Sequence, residues 1–92
     1  MTYADYAYIC KTLGDQTRIK IFDMLKSGAK CAVQLLEQFD ITQPTLSYHM
    51  KMLTSCGLIN AQKDGKWIYY SINQQVLDNF LDFLDSANVQ SK

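Results

Sequence analysis

Apolar positions fall into five stretches with helical spacing and two with the alternation of strands. Tyr6, Ile9, Cys10 and Leu13 recur at intervals of three and four, which predicts a helix over about 2–13 with Gly14 as its stop. Ile19, Phe22 and Leu25 continue the pattern in a second helix, with Asp15 as its N-cap and Gly28 after its end. Val33, Leu35, Leu36 and Phe39 mark a short third helix from Cys31 to Phe39. Only Asp40 to Thr42 separate it from the next, which is the spacing of a helix-turn-helix.

The fourth helix is the best marked. Thr42 can accept a hydrogen bond from a free amide of the first turn, and Pro44 sits where a missing N–H is harmless. Leu46, Met50 and Leu53 then form one apolar stripe of a helix over 43–56, closed by Gly57. On a helical wheel the opposite side carries Pro44, Tyr48, Lys51 and Ser55, flanked by Thr45 and Ser47, and is polar and mildly basic. Two strand-like runs over 58–72 follow, joined by Asp64-Gly65, a dipeptide that favours a type I′ hairpin turn. Lys63 and Lys66 flank that turn. A helix with an exposed hydrogen-bonding face and a hairpin with a cationic tip suit a DNA duplex, the helix in the major groove and the tip on the backbone.

A last helix, over about 74–87 and capped by Asn73 or Ser71, carries Leu77, Phe80, Leu81 and Leu84, widened by Val76, Phe83 and Ala87. That is more apolar width than one small core uses, so the terminal helices, about 2–13 and 74–87, are expected to pack on a second copy, with Tyr3, Tyr6 and Ile9 contributing. Residues 88–92 read as a frayed tail. The expected fold is mainly α with a β-hairpin wing, five helices and two strands in the order ααα-α-ββ-α, forming one winged helix-turn-helix domain over 1–92.

Nine basic and nine acidic residues cancel, which by itself argues against nucleic acid. The distribution reverses that argument. Residues 41–73 hold Lys51, Lys63 and Lys66 against Asp64, whereas residues 74–92 hold Asp78, Asp82 and Asp85 against Lys92. No signal peptide or bilayer-spanning run is visible, so no membrane partner and a cytoplasmic location are expected. Cys10, Cys31 and Cys56, an odd number, are then free thiols. With one histidine, no paired nucleophile and base, and no glycine-rich phosphate loop, nothing in the chain points to an enzyme.

The segments LGDQTRIKIFDML at 13–25, ITQPTLSYHMKMLTSCGLI at 41–59 and DGKWIYYSI at 64–72, in this order of elements, resemble the ArsR/SmtB family of winged-helix repressors. The resemblance implies a homodimer on an inverted-repeat operator in double-stranded DNA, released when an inducer binds, commonly a metal or metalloid ion and sometimes an oxidant. Carried over by position, Gln43, Thr45, Ser47, Tyr48 and Lys51 face the groove, and Lys63 and Lys66 lie at the wing.

The family's Cys-X-Cys pair at the start of the third helix is half present in KCAVQLL, with Cys31 in the first position and Val33 in the second. Its Asp-X-His pair on the last helix is matched by Asp78 but not by Phe80, so no metal site is assigned there. Asp78, Asp82 and Asp85 read as a solvated acidic face, since hard cations need more oxygen ligands.

Cys31, at a helix N-terminus that favours thiolate, is the leading inducer or redox thiol, with Cys10 as a second sulfur for a thiophilic metal or metalloid ion. Against this stands the tendency of unpaired cysteines to be core residues, the reading preferred for Cys56. His49 reads as a structural hydrogen-bonding residue or a phosphate contact, and Arg18 as a surface or ion-pair residue, with a contact to the DNA backbone as its second reading. The competing function is a winged-helix protein-interaction module that does not bind DNA.

Overall fold

In the computed structural model, which describes residues 1–87, the order is α1 (Tyr3–Leu13), α2 (Gln16–Leu25), β1 (Lys30–Cys31), α3 (Ala32–Leu36), α4 (Gln43–Ser55), β2 (Ile59–Asp64), β3 (Trp67–Ile72) and α5 (Gln74–Asp85). The tail residues, 88–92, lie outside the described residues. The expected helices and hairpin are present, and a third strand is added. β1 pairs antiparallel with β3 through Lys30↔Tyr70 and Cys31↔Tyr69, so the sheet order is β1-β3-β2. Two residues between a glycine turn and a helix carry no periodicity of their own; only pairing with β3 makes them a strand.

The caps follow side-chain chemistry. The Asp15 carboxylate accepts from the Arg18 amide at 3.0 Å, Thr42 Oγ1 from the Thr45 amide at 3.3 Å, and Asn73 Oδ1 from the Val76 amide at 3.3 Å. Asn73, not Ser71, is the cap of α5. At the start of α1, Thr2 and Asp5 form a reciprocal capping box.

Helix α3 is shorter than the expected Cys31–Phe39. After Leu36 the bonds Gln38 N–H to Leu35 O and Phe39 N–H to Leu36 O tighten the last turn and end the α-helix, so the connection to α4 spans 37–42. Gly57 takes φ +86 at the end of α4, as the pattern implied.

The hairpin turn also differs. Asp64 stays in β2 opposite Trp67, leaving Gly65 and Lys66 as the two loop residues. Gly65 has φ +62 and Lys66 a negative φ, the sign pattern of type II′ rather than type I′. A one-residue shift places glycine alone where an L side chain would be strained.

Two clusters make the core. Ile21, Leu25, Leu35, Leu46, Met50, Leu53 and Ile59 form one beneath α4; Ile9, Leu58 and Phe80 form the other between α1 and α5. Leu13 and Phe22 pack against both. Adjacent Leu58 and Ile59 enter different clusters as the chain turns into β2.

The expected stripe of α2 is corrected at Ile19, which is 47% exposed, while Ile21 is buried. Ile9, expected at a subunit interface, is fully buried in its own chain, and Cys10, read onto the apolar face of α1, is exposed. On α5, Phe80 is buried whereas Leu81, Phe83 and Leu84 remain exposed. Among the described residues no helix is long and apolar enough to cross a membrane.

Candidate nucleic-acid interface

Helix α4 divides sharply. Leu46, Met50 and Leu53 are buried against α2, α3 and the sheet, which fixes the rotation of the helix. Gln43, Thr45, Ser47, Tyr48 and Lys51 are consequently all exposed, Tyr48 by 57%. The hydroxyl of Thr45 is partly engaged, since Thr42 Oγ1 donates to Thr45 Oγ1 at 3.0 Å. Thr45 is therefore bound into the cap, while Ser47 and Lys51 stand further along the free face.

The wing presents the second group. Lys63 lies on β2 opposite Ile68, and Lys66 lies in the turn itself with Nζ 5.6 Å from the centre of the Trp67 ring. The aromatic residues of β3 differ in exposure. Trp67 and Tyr69 are exposed, and Tyr70, which packs against the core, has its phenol pKa raised by burial. The seven DNA-contact candidates thus form two exposed groups, five on α4 and two at the hairpin tip.

A contact that the residue pattern did not reveal stands behind α4. Arg18 Nε donates to the Thr12 carbonyl at 2.6 Å, and Arg18 Nη1 lies 3.2 Å from His49 Nδ1. Asp15 Oδ2 is 3.9 Å from the same ring nitrogen, beyond hydrogen-bond reach. The Asp15 carboxyl is held below the usual carboxylate range, chiefly by the Arg18 backbone N–H and further by the neighbouring cationic charge. His49 thus links α4 to α2 through its ring nitrogen.

The thiols are dispersed over different elements. Cys10 is exposed on α1; Cys31 is half-buried at the junction of β1 and α3, its amide donating to Gln34 Oε1 at 2.9 Å. Half-buried Cys56 packs against the α1–α5 cluster and donates its thiol to the Leu53 carbonyl at 3.3 Å. Among the described residues no group of three or more His, Cys, Asp or Glu side chains is arranged to hold a metal ion. Asp78 on α5 accepts from Gln74 Nε2 at 2.8 Å.

Comparison with known proteins agrees with this geometry. Residues 15–61, from the cap of α2 into β2, match the profile described as bacterial regulatory protein, arsR family. The whole chain is 39% identical to the arsenical resistance operon repressor of Staphylococcus aureus, covering 88% of that protein. Over 83% of the chain it is 36% identical to the transcriptional repressor SdpR of Bacillus subtilis, covering 84% of it. Among solved structures it superposes on an ArsR-like transcriptional regulator from Rhodococcus with a TM-score of 0.81, at 26% identity, over 91% of this chain and 79% of the other. The chain belongs to the arsR family of bacterial regulatory proteins, as a winged helix-turn-helix transcriptional regulator.

Proposed function

We propose that this protein is a dimeric transcriptional repressor that reads an inverted-repeat operator, with α4 in the major groove and the hairpin on the flanking backbone. The observation that carries the reading is the division of α4, whose buried stripe turns Gln43, Thr45, Ser47, Tyr48 and Lys51 outward together. A helix bearing such side chains fits a major groove about 12 Å wide, where amide and hydroxyl groups distinguish base edges. Lys51, Lys63 and Lys66 supply phosphate attraction that is independent of sequence. The dimer forms through α1 and α5, where Tyr3, Leu81, Phe83 and Leu84 are exposed. Two-fold symmetry then sets half-site centres roughly 34–36 Å apart.

Release from DNA follows when the Cys31 sulfur attacks an oxidant or ligates an arsenite-like metalloid, with Cys10 as a candidate second sulfur. This is supported by the likeness to arsenical resistance repressors and by the position of Cys31, joined to the wing through Tyr69 and to α3 through the chain. The protein acts in the cytoplasm. The test is fluorescence anisotropy of duplexes selected from a random pool, followed over a salt series. Binding of two chains per inverted repeat, falling as salt rises, is the expected outcome. Absence of salt-dependent duplex binding would replace this reading with the protein-interaction module.

A further inference from the structure

Between α3, α4 and β3 the structure has a partly open cavity of about 110 Å³. Its lining includes Val33, Leu36 and Met50 together with the polar side chains of Gln43, Ser47 and Tyr70, and no charged residue. An engineered protein cavity of roughly 150 Å³ takes up benzene, so this volume with an open side has room for one small ring or a short branched alkyl group. Three polar side chains on an otherwise apolar wall are the usual composition of a small-molecule site. Val33 is 51% exposed and stands at the open side of the cavity. The Tyr70 phenol, protonated at neutral pH like any tyrosine, lines the cavity and can donate a hydrogen bond there.

We propose that this cavity binds a small neutral molecule with an apolar ring and one hydroxyl or carbonyl group, and that its occupancy weakens DNA binding. The first half stands on the cavity alone; the second rests on the DNA reading above. Gln43 and Ser47 link the two, because they line the cavity and also belong to the exposed face of α4. A ligand that engages their amide and hydroxyl removes those groups from base edges. The absence of charge selects against anions, which would enter without a partner. This site is separate from any chemistry at Cys31, which does not line the cavity.

Phenol is the probe. Titrated into the ¹⁵N-labelled protein without DNA, it should shift the amides of residues 32–36, 43–50 and 70 in a saturable manner. Tyr70→Phe should weaken binding several-fold. Val33→Phe, at a half-exposed position that tolerates a larger side chain, should fill the opening and abolish saturable shifts while the thermal midpoint stays near that of the parent. Benzoate should bind at least tenfold more weakly than phenol. Equal affinity for benzoate, shifts centred on α1 and α5, or undiminished binding by Val33→Phe would each overturn the site.

In a second arm, phenol at saturation should raise the Kd for the selected duplex several-fold in the parent and leave it unchanged in Val33→Phe. Unaltered duplex affinity with the cavity occupied would overturn the coupling. Failure of the free protein to bind any duplex would instead overturn the DNA reading and leave the ligand site standing.

Discussion

Arg18 and His49, 31 positions apart in sequence, meet at 3.2 Å through Nη1 and Nδ1, and the contact ties the start of α2 to the middle of the recognition helix. A guanidinium has donors only, so in this contact Nδ1 accepts and the ring N–H is on Nε2. Arg18→Lys keeps a positive charge but loses the planar fork that reaches Thr12 O and His49 together. It should lower stability by about 1–3 kcal/mol, read from urea unfolding. Two-bond ¹H–¹⁵N spectra of the His49 ring should show the Nε2–H tautomer; the Nδ1–H tautomer would contradict the geometry.

Asp15 gives stability a defined dependence on acid. Its carboxyl sits below the ordinary carboxylate range because the ionised form accepts from the Arg18 amide. A depressed folded-state pKa contributes stability that is present above the unfolded value of about 3.9 and lost as pH falls through the folded value. Asp5, lowered by its hydrogen bond from the Thr2 backbone amide, acts in the same direction. Asp15→Asn retains a capping oxygen and removes the titration. Its unfolding midpoint should fall less steeply than the parent's below about pH 4, and parallel curves would show that another group dominates the acid limb.

At the wing, replacing Lys63 and Lys66 together with alanine should weaken binding similarly on every duplex and reduce the salt slope by about 2. Ser47→Ala or Gln43→Ala should instead relax the preference at one or two base pairs, by about 1–3 kcal/mol each. An unchanged salt slope in the double variant would remove the hairpin from the interface.

For the inducer, a trivalent arsenical or diamide should release the parent protein from its operator. Cys31→Ser should be refractory, Cys10→Ser weakened, and Cys56→Ser close to the parent. The measurement is the inducer concentration that halves DNA binding. A Cys31→Ser protein that responds as the parent does would exclude Cys31 as the sensor.

Leu84 is exposed on α5, so Leu84→Glu leaves the fold of one chain undisturbed while placing a charge in the proposed dimer contact. An unpaired buried charge costs about 3–5 kcal/mol, which corresponds to a dimer Kd raised by at least ~100-fold. Sedimentation equilibrium of parent and variant, with matching circular dichroism, provides the comparison. A variant that stays dimeric would move the interface elsewhere.

The α4 helix and its exposed side chains were legible because cap, proline, stripe and terminal glycine all lie within one short segment and agree. The hairpin was legible as a pair of strands, but its turn was displaced by one residue, since the pairing of Asp64 with Trp67 overrode the local dipeptide preference. β1 was not legible at all, because its two residues become a strand only against β3. The Arg18–His49 contact and the cavity beneath α4 share that character. Both join residues far apart in the chain, and neither leaves a spacing pattern to find.

The two core clusters give the molecule a mechanical property. α4 is seated in one cluster and α5 in the other, and among the described residues Leu13 and Phe22 are the hydrophobic side chains packed against both. A tilt of one half against the other would turn on that seam, and the bond from Arg18 Nε to the Thr12 carbonyl, which joins α2 to α1, would resist it. In a two-fold pair joined through α5, a few degrees at each seam would add along the duplex axis. The separation of the two reading heads would then be adjustable about the spacing that the subunit contact sets.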